Sequence, residues 1–362
     1  MMAARSKIEW TNSSWGAVSG CTKVSPGCAN CYAEAHATRF AGTKAWPNGF
    51  DVTLWPKRLD QPLRWRAPRK VFVCSTADLF HSDVPDEHIA KVWATMALSP
   101  RHTYQVLTKR PARMQALLRS RAFNDLVFEA LGCDELVERR PEGLDWDLAV
   151  QRFSPKRRGA AAEPLPNLWL GVSAENQHWA DIRIPLLLGT LAVVRFVSLE
   201  PLLGPIDLRQ ALGKWMPPQR HPAWQGDTLH ARDMLHWVIA GGESGRRARP
   251  MHPDWARSLR DQCQKAGIAF LFKQWGEWQP LDGREPQDGD AVVLADPWNP
   301  LNRRDESGQP EAWTPWNRDL HGTGESMFGA AVLRRVGKTK AGRLLDGQLW
   351  DEFPVVPEAA AS

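Results

Sequence analysis

Three cysteines, Cys21, Cys28 and Cys31, fall within eleven residues of GCTKVSPGCANCYAEAHATRF (20–40). Thiolates so placed can hold zinc or an iron–sulfur cluster, or belong to a disulfide framework. A disulfide pairing is disfavoured, because it leaves one cysteine over and nothing else points to an oxidising compartment. Structural zinc takes four ligands as a rule. His36, five residues after Cys31, is the candidate for the fourth, yet it lies in a helical pattern among alanines and reads as a helix-surface residue. Three thiolates without a fourth leave one iron of a [4Fe–4S] cluster open to a ligand, and an open metal position is a catalytic one. Cys74 and Cys263 read as small buried hydrophobes, and Cys133 has no evident role.

Short apolar runs supply the elements that must carry such a site. Val71–Cys74, Tyr104–Leu107, Leu168–Val172, Val193–Leu199, Trp237–Ala240 and Ala269–Phe272 read as buried strands, with a seventh, shorter one at Trp15–Val18. Helical periodicity covers Ala29–Phe40, Glu87–Leu98 and Pro253–Ala266, the last with proline near its start and Gly267 past its end. Strands alternating with helices give parallel βαβ units. Six or seven of them predict a complete or partial (β/α) barrel, with an open doubly wound sheet as the other solution; either binds ligands at the C-terminal strand ends.

Six polar clusters lie just past those ends. They are Ser75-Thr76-Ala77-Asp78, Thr108-Lys109-Arg110, Ser173-Ala174-Glu175-Asn176, Glu200-Pro201, Gly241-Gly242-Glu243-Ser244 and Lys273-Gln274-Trp275. A purely structural barrel does not need them. Asp78 is suited to accept from an ammonium or to cap the following helix. Lys109 and Arg110 are suited to a carboxylate or a phosphate. Glu175 or Glu200 can accept from ribose hydroxyls, or be held in an internal salt bridge. The glycines before Glu243 imply a tight turn or a close backbone approach to a ligand.

Residues 118–167 and 209–235 read as insertions into a barrel spanning 1–276, and 277–362 as an irregular Trp-rich extension packed on it. The net charge is +5, too small alone to establish a nucleic-acid partner. Local density says more: 56–70 holds six Lys/Arg against one Asp, and 245–260 holds five Arg against one Asp. No apolar run is long enough to span a membrane, and MMAARSKIEWTNSSW lacks a secretory apolar core, so a cytoplasmic location is expected.

The pattern CxxxxxxCxxCYA at the start of such a barrel resembles the radical S-adenosylmethionine (SAM) enzymes, spore-photoproduct-lyase-like members among them. More widely, GCTKVSPGCANCYAE, LTKRP, LGVSAEN, SLEPLLGPIDL, VIAGGESG, FKQWGEW and GKTKAGRLLDGQLWDEFP resemble a phage and bacterial family of three-Cys-motif proteins. The spacing of six between the first two cysteines departs from the superfamily's three, and Asn30 stands where an aromatic residue is usual. The resemblance implies a [4Fe–4S] cluster on Cys21, Cys28 and Cys31 whose open iron binds SAM, in a bacterial or phage-infected cytoplasm. It implies SAM contacts from Tyr32, Ser75, Thr76, Asp78, Lys109, Ser173, Glu175, Ser198 and Glu200. Arg110, Glu243, Ser244, Lys273, Gln274 and Trp275 are left for a nucleic-acid or nucleotide substrate undergoing base modification or lesion repair, with an external electron donor. A zinc-knuckle nucleic-acid-binding protein and a barrel enzyme with structural cysteines are the competing readings.

Overall fold

The computed structural model describes residues 8–133, 146–154, 164–213, 234–281, 284–294, 313–315 and 330–355, together with Ser6, Leu136, Glu138 and Leu144. Seven parallel strands run in chain order across one sheet: β1 Ser13–Trp15, β2 Lys70–Val73, β3 Thr103–Thr108, β4 Leu168–Ser173, β5 Val194–Leu199, β6 Trp237–Gly241 and β7 Ala269–Gln274. β1 and β7 are the two edges and do not pair with each other, so the sheet is a partial barrel. The first strand ends earlier than its apolar run predicts. Gly16 follows Trp15, and Val18–Ser19 pairs antiparallel with Thr53–Leu54 in a separate ribbon.

Period two sorts each strand's side chains between two cores. On β5, Val194 and Phe196 join Trp10, Phe72, Trp169, Trp237, Ile239 and Leu271 in a compact aromatic cluster. Val197 and Leu199, alternating with them, belong to the larger core that the helices cover. Helices α1 Tyr32–Arg39, α2 Asp86–Ala97, α3 Pro111–Arg119, α4 Arg121–Leu131, α5 Trp146–Phe153, α6 Gln177–Leu188, α7 Leu208–Gly213 and α8 Pro253–Ala266 lie between strands. The stop signal of α8 is as its sequence predicts: Gly267 takes φ +68° and its N–H reaches back to the Cys263 carbonyl. In the segment read as the first insertion, Ser120 caps α4 by accepting from Phe123 N; most of the second insertion lies outside the described residues.

The tail is more regular than its composition predicts. β8 Trp278–Pro280, β9 Ala291–Leu294, β10 Trp313–Pro315 and β11 Ala330–Arg335 form an antiparallel sheet in the order β8-β11-β9-β10. Further on, residues 350–352 lie along the open edge of β7: Phe272 N donates to Trp350 O, and Glu352 N to Phe270 O. This covers an edge that would otherwise invite pairing with another chain. Trp237 Nε1 donates to Glu352 O and stacks near Phe353.

His102 is buried beside Trp65 and Tyr104, with Nε2 3.0 Å from the Pro62 carbonyl oxygen. Burial, opposed by that hydrogen bond and helped by Arg101 and Arg69, pushes it from 6.5 down to about 4. Between those values the unfolded chain binds a proton that the folded chain refuses. Acidification across that window should therefore cost on the order of 3 kcal/mol. Urea unfolding at several pH values checks this, and a His102→Gln variant with the same acid slope as the parent would refute it.

Candidate active site at the cysteine loop

Past the C-terminal ends of the strands lies a cavity of about 510 Å³. Its walls include Cys21, Cys28, Cys31, Tyr32, Ser75, Thr76, Asp78, Lys109, Arg110, Ser173, Ser198, Glu200, Glu243, Ser244, Lys273 and Gln274, with Trp10 and Phe72 from the aromatic cluster. The strand-end residues expected from sequence to contact a ligand thus converge, except Glu175 and Trp275. Glu175 is fully buried behind the cysteine loop, and Trp275 turns toward the tail, its Nε1 donating to Leu344 O at 2.8 Å.

The cysteine loop is bound to the barrel before any metal is considered. Gly20 sits at φ +84°, where an added Cβ would lie 2.2 Å from the Asp51 carbonyl oxygen, so only glycine turns the chain into Cys21 here. Its N–H donates to Thr76 O, and Cys21 N donates to Phe50 O. A short 3₁₀ turn, Pro26–Cys28, precedes Cys31, which opens α1.

Three carboxylates then tie the loop to three different strand ends. The first is Asp78, buried after β2, which accepts from Phe80 N, Thr108 Oγ1, Lys109 N and Arg110 Nη1. Those four donors use its accepting capacity. Arg110, so held, donates to Cys21 Sγ at 3.4 Å and to Thr22 O and Oγ1. Burial and Asp78 raise the Cys21 thiol, while Arg110 draws it down. The balance is upward, so Cys21 rests as a thiol, and the guanidinium is the cation that would offset its charge on ionisation.

The second is Glu175, after β4. Its Oε1 accepts from Gly27 N at 3.1 Å, and its Oε2 from Arg183 Nη1 at 3.1 Å, with side chains 0% and 1% exposed. Arg183 also donates to Ser173 O and stacks on Trp179. The third is Glu243, after β6, which accepts from Asn30 Nδ2 and from three nitrogens of Arg249. Arg249 Nη2 reaches on to the Pro26 carbonyl. Asn30, between the second and third cysteines, is thus a hydrogen-bonding anchor for the loop.

The remaining wall is a second polar network. Lys109 Nζ donates to Ser173 Oγ at 2.9 Å, and Lys273 Nζ meets both oxygens of Glu200 at 2.8 Å. Gln274 Nε2 donates to Glu200, Gly242 O and Ser244. Tyr32 stands at the mouth, 60% exposed, with its hydroxyl donating to Ser75 O. Gly242 packs tightly on backbone: a Cβ there would fall 2.0 Å from Trp275 O, and the residue also lines the cavity.

All six cysteines are free. Burial pushes the Cys74 thiol up to about 12 and raises that of Cys263, so both are inert, as small buried hydrophobes should be. His36 packs against Phe40 and Trp46. Among the described residues, no group of three or more His, Cys, Asp or Glu side chains is placed to hold a metal ion, and no helix is long and apolar enough to cross a membrane.

A family model described as "Protein of unknown function (DUF5131)" matches residues 5–354. The chain belongs to that family. No curated protein matches it. Among solved structures, spore photoproduct lyase complexed with dinucleoside spore photoproduct is similar at a TM-score of 0.35 and 10% identity, over 78% of this chain and 69% of that one.

Within this member of the family, several site residues carry no sequence signal of their own. Arg183 lies mid-helix, Asn30 looks like a spacer, and Trp10 belongs to a stretch without pattern. Arg249 sits in the arginine-rich run read as a nucleic-acid patch. There Arg249, Arg257 and Arg260 are instead ion-paired to Glu243, Asp254, Asp261 and Asp346, leaving Arg246 and Arg247 exposed.

Proposed function

We propose that the protein is a radical SAM-type iron–sulfur enzyme acting on a nucleic acid or nucleotide. The observation that carries this reading is a three-cysteine loop, tied to three strand ends, whose thiols all line one cavity at the mouth of a parallel partial barrel. The donor set fits the group. Three soft thiolates suit an iron–sulfur cluster, and Arg110 offsets thiolate charge at Cys21. A single zinc ion asks its ligands to meet within about 2.3 Å of one point, whereas a cubane gives each thiolate a separate iron.

Cys21, Cys28 and Cys31 would hold the cluster, with SAM on its open iron. Together these supply the electron transfer and bond homolysis that activate an inert C–H bond. The chain's own residues bind and orient. Ser75 and Thr76 would meet the amino group of SAM, and Lys109 its carboxylate. Ser173, Ser198 and Glu200 are acceptors for ribose hydroxyls, and Tyr32 covers the mouth. Asp78, Glu175 and Glu243, already saturated or buried, serve as positioning residues for the loop. Arg246 and Arg247, exposed next to Ser244, are suited to a phosphate backbone.

Anaerobic purification and reconstitution test this. The expected result is a brown protein with iron and sulfide in equal amounts that cleaves SAM when reduced. Its affinity for DNA or RNA should fall steeply with salt. Stoichiometric zinc without iron, or no salt-dependent affinity for either nucleic acid, would refute it.

A further inference from the structure

One side chain in the cavity is half-satisfied in a way that specifies its ligand. Gln274 is 4% exposed and lines the cavity. Its Nε2 faces Glu200 Oε1 at 3.1 Å, Gly242 O at 3.3 Å and Ser244 Oγ at 2.8 Å. Two of those are obligate acceptors, so rotating the amide would set its oxygen against a carboxylate and a carbonyl. The orientation is therefore fixed, and Oε1 is buried with no hydrogen-bond partner among the described residues. A buried acceptor without a partner, on a residue of the cavity wall, is suited to take a donor from a ligand.

The neighbours define what else that ligand carries. Lys273 precedes Gln274 on β7, and its ammonium spends two directions on the oxygens of Glu200. A third N–H remains, and because Lys273 Nζ and Gln274 Nε2 share Glu200 Oε1, that donor belongs to the same patch of wall as the Gln274 amide. Trp10 and Phe72 line the same cavity, their ring centroids 4.7 Å apart, and offer flat apolar surface to a ring. Trp10 Nε1 is itself buried without a partner among the described residues.

Resting on the nucleotide reading above, we infer that Gln274 and Lys273 form a recognition pocket for a nucleobase whose Watson–Crick ring nitrogen carries hydrogen. Thymine, uracil and guanine have that N–H flanked by a carbonyl, which matches an acceptor beside a donor. Cytosine and adenine present a lone pair at the same ring position and can reach Gln274 Oε1 only through the exocyclic amino group, with the ring shifted across the Trp10 and Phe72 surface.

Titration of the full-length protein with thymidine, guanosine, cytidine and 3-methylthymidine, followed calorimetrically, tests the pocket. Thymidine or guanosine should bind at least about tenfold more tightly than cytidine and 3-methylthymidine, the loss expected when a buried hydrogen bond is removed. A Gln274→Met variant should bind thymidine no better than 3-methylthymidine. Equal affinity for thymidine and 3-methylthymidine, or no nucleoside binding at millimolar concentration, would overturn the inference. The methylation comparison needs no variant, so misfolding of Gln274→Met leaves it decisive. Iron content of the same preparation reports separately on the cysteine site; a protein that loads iron yet ignores the ring N–H refutes this pocket alone.

Discussion

Alanine at any one of Cys21, Cys28 or Cys31 is expected to bring iron and sulfide to background after anaerobic reconstitution, and the brown absorbance with them. Each cysteine lines the cavity, and no other cysteine is placed to substitute. Cys74 and Cys263 are buried in the core, and neither they nor Cys133 lines the cavity. A site with three protein thiolates has none to spare: removing one leaves an iron without its ligand, and cluster binding free energy is largely thiolate coordination. Cys133→Ala supplies the contrast, because it removes a thiol while leaving the cavity untouched, and it should load iron like the parent. A Cys28→Ala protein with parental iron content would remove cluster ligation from that residue, and from the proposal.

Glu175→Ala is expected to destabilise the folded chain by about 3–5 kcal/mol, the cost of leaving one member of a buried ion pair without the other. Arg183 would keep its charge at a site 1% exposed, donating to the Ser173 carbonyl and stacked on the Trp179 ring but without a direct carboxylate partner among the described residues. Gly27 N–H would lose its acceptor as well. Replacing both partners, as Glu175→Leu with Arg183→Leu, removes the stranded charge and should recover most of that loss. Iron loading should stay low in the double variant, since the tie to the cysteine loop is still gone. Urea denaturation of parent, single and double variants separates these effects. A single variant within about 1 kcal/mol of the parent would mean that the pair is not holding the loop.

The strands were legible because each buries both faces, and that writes an uninterrupted apolar run. Trp237–Ala240 and Ala269–Phe272 are read almost at their observed bounds. The convergence of polar strand ends was legible too, since parallel connectivity brings every C-terminal end to one rim. What each polar residue does there was not. Glu175 and Glu200 occupy similar places in the text, yet one pairs with an arginine buried inside a helix and the other with a lysine in the cavity wall. A carboxylate's partner is chosen in three dimensions: Gly27 and Glu175 are 148 positions apart, and Asn30 and Glu243 are 213. The tail's sheet was hidden for another reason. β8 is three residues long, β11 is mostly half-buried, and the buried run of β9 covers only Ala291–Val293, so none leaves an alternating pattern long enough to read.

The anchoring of the loop by Asp78, Glu175 and Glu243 bears on how a metal would arrive. In a zinc finger the ion must first organise a slack chain, and part of its affinity goes into that ordering. Here the chain's shape is fixed by oxygen and nitrogen atoms that no metal touches. An incoming cluster therefore meets a receptor already formed, and its departure should leave a folded, refillable vessel rather than a collapsed one.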